Sequence, residues 1–285
     1  MAERAPADLE RYRADSRDSW DRIASTWDAE RDFLKSAMRP VGHKLIDRLD
    51  PQSGDTVLEL AAGTGEMTPD LAKAVGENGR VLSTDFAPSM VESAQAQSSR
   101  LELANVEHRV LDAERMDLES SSVDRVVCRF GYMLMADPVA ALTETRRVLR
   151  DPGRLAFAVW STAERNPWAA IPGRTLVELG LAPPPEEGTP GPFVMGDPDR
   201  IRELVGAAGF GAPEIEEVRA HWGYADADDH WQRTLTLSPS MSGRISELPE
   251  ADRERVRKTV GERVDARLAE GADAMDGIAL VVSCD

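Results

Sequence analysis

The spacing of apolar positions along this chain changes character repeatedly, and each change marks an element or a border. Before Pro51 hydrophobic side chains recur at helical spacing, which predicts helices over 18–33 and 41–49 with Pro40 and Pro51 as punctuation. From Thr56 onward short apolar runs alternate with amphipathic ones. "TVLEL", "GRVLSTD", "VEHRVLD", "VDRVVCRF" and "GRLAFAVW" read as strands. "MTPDLAKAV", "PSMVESAQAQSSR" and "PVAALTETRRVLR" read as helices, the first with Pro69 in its opening turn. That alternation predicts an α/β domain, built of βαβ units around a parallel sheet with helices on both faces.

After Ser161 the rhythm breaks. A short helical stretch runs into the loop "LAPPPEEGTPGPF", after which "DPDRIRELVGAAGF" returns as a helix and "PEIEEVRA" as a strand. A long charged and mostly helical stretch follows, and "GIALVVS" closes the chain as a final strand. The expected organisation is a helical cap (1–50), a core (51–160), a lid or acceptor insertion (161–195), a core helix and strand (196–222), a helical lid insertion (223–277) and a last core strand (278–285). Both insertions read as excursions from one sheet.

Composition narrows the functional classes. A net charge of -17 disfavours nucleic acid and anionic membranes as partners, because both are polyanions. There is no apolar run of the ~20 residues a membrane span needs, and the first residues lack a signal peptide's apolar segment. Two cysteines far apart, Cys128 and Cys284, suggest neither a disulfide framework nor a zinc site. A reducing cytoplasm is the expected setting, and no metal is expected.

In an open α/β sheet, ligands sit beyond the carboxyl ends of the strands, where strand order reverses. The turn "AAGTGE" after the first strand belongs there, and Gly63 and Gly65 leave its backbone bare enough for close approach. Thr68 stands where the third glycine of a dinucleotide fingerprint would fall, so the turn alone leaves a dinucleotide, a phosphate and a sulfonium cofactor open. Asp85 ends the second strand, where a carboxylate accepts hydrogen bonds from both hydroxyls of a ribose. Asp112, in "LDAERMD", ends the third, where an acid can accept from an adenine amino group while the next N–H donates to a ring nitrogen.

In these segments the chain resembles the class I S-adenosylmethionine-dependent methyltransferases. The matching stretches are "VLELAAGTGE", "VLSTDFAPSMVESA" and "LDAERMDLESSSVDRVVCRFGYMLMADPVAALTETRRVLRDPGRLAFAVW", within 52–160, and more loosely "PGPFVMGDPDRIRELVGAAGF". The quinone-biosynthesis-like branch is the most similar, and the departure is Ala61, where the family's loop has its first glycine. The resemblance implies a seven-stranded Rossmann-like sheet with an antiparallel last strand, and S-adenosylmethionine as cofactor. It implies Glu59 at the methionine end, Ala61, Gly63 and Gly65 as the bare loop, and Asp85 on the ribose. Phe86 and Met90 would pack on the adenine, Asp112 and Ala113 would read its edge, and backbone near Arg129 would meet the methionine amino group. A cofactor-binding module without turnover and a nicotinamide-dependent oxidoreductase are the alternatives.

The methyl acceptor is less legible. All six tryptophans fall outside 28–159, which places aromatic surface in the cap and lid. Tyr132, Trp160, Trp168 and Phe193 are the expected lining of an enclosed pocket for a small apolar or aromatic molecule. Tyr132 and His43 are the candidates for a catalytic group, although a phenol's ordinary pKa of about 10 suits Tyr132 better to orienting than to proton removal. His108 reads as structural, and His221 and His230 as residues of the lid region.

Overall fold

The computed structural model describes residues 6–186, 188–271 and 273–285. Its strands are β1 (Thr56–Leu60), β2 (Arg80–Asp85), β3 (Val106–Val110), β4 (Val123–Arg129), β5 (Leu149–Trp160), β6 (Glu214–Ala220) and β7 (Gly277–Cys284). They form one sheet in the order β3-β2-β1-β4-β5-β7-β6. The first five run parallel, and β7 lies antiparallel between β5 and β6. The central strands are near-continuous apolar runs, as parallel strands covered by helices must be: Val57 to Leu60 and Leu155 to Val159 are all buried. Because β1 is flanked by β2 on one side and β4 on the other, strand order reverses there, and the crevice opens beyond Leu60.

The helices are α1 (Pro6–Ala29), α2 (Arg31–Leu49), α3 (Thr68–Val75), α4 (Pro88–Arg100), α5 (Pro138–Val148), α6 (Pro167–Glu178), α7 (Pro198–Ala207), α8 (Ala227–Leu237), α9 (Pro239–Glu247) and α10 (Glu250–Leu268). The expected stop at Pro40 does not occur, for α2 runs through it. Leu34, Met38, Val41, Leu45 and Leu49 form a buried stripe along α2, which packs on β4 to β7. Burying that stripe outweighs the ~3 kcal/mol a helix-interior proline costs.

The long insertions fold back on themselves. Leu176 of α6, Trp231 of α8, Ile245 of α9 and Val256, Val260 and Val264 of α10 form an apolar cluster separate from the one around the sheet. Asn166 fastens this layer to the sheet. Fully buried, its amide nitrogen donates to the carbonyls of Ser161, Thr162 and Ile278, at 3.3, 3.0 and 3.2 Å. Its oxygen accepts from the Ile278 N–H at 3.1 Å.

Candidate active site

Beyond Leu60 the chain turns through Ala61, Gly63 and Gly65 at φ of 51°, 58° and 82°. The left-handed region costs a residue with a Cβ roughly 1–2 kcal/mol, so Ala61 is held there by its surroundings. Gly131, just past β4, makes the room: a Cβ on it would lie 2.6 Å from the Ala61 methyl and 2.6 Å from Cys128 Sγ. Gly65 is needed for packing, since a Cβ there would come within 3.1 Å of Ala94 Cβ on α4. Gly63 differs, because a Cβ there would meet nothing within 4 Å. It leaves an open bed of bare backbone over which a ligand can lie.

Parallel pairing brings the two acids together. Asp85 stands opposite Val110, and the Leu111 N–H donates to the Asp85 carbonyl at 2.9 Å, so Asp85 and Asp112 finish neighbouring strands at one edge. Asp85 is buried, accepting from the Gly63 N–H at one oxygen and the Ala87 N–H at the other, each at 3.0 Å. Burial pushes its carboxyl up to about 6, against the pull of those amides. Each oxygen retains a second lone pair for a hydroxyl donor. Half-buried Asp112 accepts from the Glu114 N–H at 2.9 Å, which fixes the turn carrying buried Ala113. Glu59 is also buried, and the Thr68 hydroxyl donates to it at 2.6 Å. Burial lifts the Glu59 carboxyl up to about 7, opposed by Thr68 and by the charge of Arg129. Thr68, the residue that breaks the dinucleotide fingerprint, thus orients Glu59.

Several residues of this half escaped the sequence reading. Buried Glu66 accepts from Thr64 and from Arg129 at 3.1 Å, and Arg31 stands 3.6 Å away. Two guanidinium groups therefore converge on one carboxylate beneath the loop, and Arg31 also donates to the Thr64 carbonyl. Glu114, buried, pairs with Arg13 of α1 and accepts from the N–H groups of Ala136 and Asp137, at 2.9 and 3.1 Å. Burial raises its carboxyl and Arg13 opposes the rise. Asp21 of α1 accepts from the Ser89 N–H at 2.7 Å, and Trp20, Ile23, Ala24 and Trp27 pack against Phe86, Ala87 and Met90. The cap is therefore a helix strapped across the β2–β3 side of the crevice. Met90 is closed off inside the α1–α4 contact, at 1% exposure, while Phe86 stays half-buried. Pairs 101 residues apart, such as Arg13 and Glu114, carry no local signal.

On the other side of β1 lies an aromatic cluster. Phe130, at φ 64°, stacks on Trp160 with ring centroids 4.0 Å apart. Trp160 meets Trp168 edge-on at 5.1 Å, and Trp168 lies 4.3 Å from Trp222. Phe33 of α2 sits 5.7 Å from both Trp222 and Tyr224. Trp160 and Trp168 are thus joined as expected, whereas Phe130, Trp222, Tyr224 and Phe33 were missed. Tyr132 is not part of this cluster. Its side chain is fully buried in the core, edge-on to Phe157, with its hydroxyl 2.7 Å from Thr145 Oγ1, and burial raises its pKa well above the ordinary value. His43 lies on the exposed face of α2. Phe193 is half-buried against the main core, in a loop whose Gly191 N–H donates to the Met133 carbonyl at 2.9 Å.

A family profile described as methyltransferase domain matches residues 51–177. A demethylmenaquinone methyltransferase of Beutenbergia cavernae is 34% identical over 168 residues, covering 59% of this chain and 67% of the relative. The chain belongs to the class I S-adenosylmethionine-dependent methyltransferases. An aklanonic acid methyltransferase from Streptomyces sp. (strain C5) is 30% identical over 146 residues, 51% of this chain and 65% of that protein. The chain thus spans slightly less than two thirds of that relative's length. Among solved structures, a Haemonchus contortus phosphoethanolamine N-methyltransferase holding S-adenosylhomocysteine superposes with a TM-score of 0.59 at 14% identity. It covers 94% of this chain and 60% of its own, a likeness of fold. The sheet order and the antiparallel β7 agree with membership of this methyltransferase family.

Proposed function

We propose that this methyltransferase moves a methyl group from S-adenosylmethionine to a small aromatic or apolar metabolite. The observation that carries the reading is the pair Asp85 and Asp112, set on adjacent strand ends beside the open bed over Gly63. Asp85 would take the ribose hydroxyls, and Asp112 and Ala113 the adenine edge, with Phe86 beside the ring. Ala61, Gly63 and Gly65 would let the backbone approach. Glu59 would orient the methionine end, and the two guanidinium groups around Glu66 offer a positive site for its carboxylate. Bound there, the cofactor supplies an electrophilic methyl on a positively charged sulfur. The chain's task is to align an acceptor with that methyl and exclude water, which a closed aromatic cluster favours.

The acceptor reading rests on Trp160 and Trp168, with Phe193 at the margin of the lid. The acidic net charge supports a metabolite over nucleic acid. None of the helices in the described residues is long and apolar enough to cross a membrane. The cytoplasm is the setting proposed.

The test is incubation with isotopically labelled cofactor and fractionated cell extract, followed by mass spectrometry of whatever gains a methyl. Time-dependent formation of S-adenosylhomocysteine supports turnover, and its absence with every fraction favours a binding module without activity. Calorimetry with S-adenosylhomocysteine and with NAD separates the nicotinamide alternative. Trp168→Ala and Phe193→Ala should each lower turnover of the acceptor so found. Unchanged rates in both would remove the pocket assignment.

A further inference from the structure

Antiparallel pairing of β6 with β7 ends at Ala220 and Gly277, so His221 and Asp276 stand opposite each other one step beyond the ladder. The His221 N–H donates to the Ala37 carbonyl at 3.3 Å, which anchors this strand end to α2 while the imidazole stays exposed. On the β7 side a tight turn carries two carboxylates, and the Asp276 N–H closes it by donating to the Asp273 carbonyl at 3.1 Å. Asp273 is exposed, whereas Asp276 is only 8% exposed.

Buried polar side-chain atoms are nearly always hydrogen-bonded, so an orphan calls for a reason. Asp276 Oδ2 is such an orphan: it is buried and accepts no hydrogen bond, although His221 Nδ1 is 2.7 Å away. That distance suits a hydrogen bond, so the bond fails on direction, with the oxygen lying off the axis along which a ring N–H points. Arg219 Nη1 stands 3.5 Å from the same oxygen and 4.0 Å from Asp273 Oδ2, a loose ion pair on an exposed side chain.

A carboxylate oxygen close to an imidazole nitrogen but off its axis is placed as a second ligand of one ion would be. An ion ~2.1 Å from each, with the two bonds at a right angle, sets nitrogen and oxygen roughly 3 Å apart. The observed spacing is within a few tenths of an ångström of that. Asp273 brings a third ligand, for all three ligand atoms lie within 4.8 Å of one another.

We infer that His221 Nδ1 and the carboxylates of Asp276 and Asp273 bind a divalent transition ion of the zinc class, with water completing its shell. Imidazole with carboxylates suits such an ion better than magnesium or calcium, which prefer oxygen alone. The scarcity of cysteine says nothing against it, since the site uses no thiolate. Arg219 is the resident positive charge, and its exposed side chain swings into solvent when the ion enters. The ion clamps the end of the edge strand, from which Trp222 follows, to the turn that enters β7. Five strand spacings, roughly 24 Å, separate β6 from β2, so the clamp stands apart from Asp85 and does not depend on the methyltransferase reading.

The test is calorimetry on the full chain, stripped with a chelator and titrated with zinc chloride or with magnesium chloride. One equivalent of zinc should bind, and magnesium at the same concentrations should not. His221→Ala and Asp276→Asn should each weaken zinc binding at least tenfold. Arg219→Gln should tighten it severalfold by removing the competing charge, and His43→Ala, which removes an exposed imidazole on α2, should leave it unchanged. Zinc should also raise the thermal midpoint of the wild type and not that of His221→Ala. Equal zinc affinity in the wild type, His221→Ala and Asp276→Asn overturns the inference. So does a wild type that binds no zinc, or one that takes magnesium equally well. If Asp276→Asn does not fold, proton NMR of the wild type with added cobalt(II) decides. Ring signals of His221 that shift before those of His43 support the site, and the reverse order overturns it.

Discussion

The two sides of β1 are built on different principles. On the β2–β3 side, the candidate site is made of backbone: positive-φ turns, strand-end amides and two carboxylates that ladder pairing places next to each other. On the β4–β5 side it rests on side chains, as rings from β5, α2, α6 and the segment after β6 come together. A site made of backbone can be spelled in a few contiguous residues. A site made of side chains is spelled across the whole chain, and it can be rewritten without disturbing the other.

The strongest way to break this contrast is Trp160→Ala. Trp160 is buried and touches Phe130, Trp168 and Trp222, so truncation should cost about 3–5 kcal/mol of stability by denaturant unfolding. S-adenosylhomocysteine affinity in the molecules that remain folded should change little. Parallel losses in stability and nucleotide affinity would mean that the two sides are one unit.

Asp85→Ala is the converse. It should raise the dissociation constant for S-adenosylhomocysteine at least tenfold, since charge-assisted hydrogen bonds contribute roughly 1.5–3 kcal/mol each. Calorimetry showing unchanged affinity would end the ribose assignment.

The same residue gives a pH dependence. Folded Asp85 titrates near 6 against an ordinary 3.8, so the folded protein binds that proton more tightly than the unfolded chain does. Its burial therefore lowers stability as pH rises from about 4 to about 6, and Glu59, near 7, extends that fall. On the proposed ribose contact the hydroxyls donate to the ionised form, so nucleotide affinity should climb as pH rises through about 6 and then level off. Asp85→Asn should flatten that climb, and calorimetry in buffers of differing ionisation heat should show proton release in the wild type.

The smallest effect sharpens the border between the halves. Gly131→Ala presses on Ala61 and should destabilise by about 1–3 kcal/mol. Ala61→Gly alone should shift stability by no more than ~1 kcal/mol, yet it should recover part of the Gly131→Ala loss. A double-mutant cycle with no coupling would mean that the methyl and the missing side chain do not answer each other.

Legibility followed the same divide. The strands, the loop and both acids could be read because each is local and periodic, and Asp85 and Asp112 need only strand pairing to meet. Tyr132 was misplaced because position after β4 was taken to mean facing the crevice. In fact the chain flips at Phe130 and sends the next aromatic inward to Thr145. Phe33 and Trp222 are brought together by the packing of α2 on the far end of the sheet, which no window of sequence displays. Pro40 was read as a stop because local cost was visible and the tertiary gain was not.

Asn166 has a consequence for how such a chain can change. One carboxamide ties the exit of β5 to the entry of β7, so the first departure from the sheet and the last return to it pass through a single knot, with α7 and β6 between them. Inside that knot, segments can lengthen, shorten or exchange their rings while strand register stays put. New acceptor preferences would then be installed by exchanging the lid stretches on either side of α7 and β6, provided that the knot is kept.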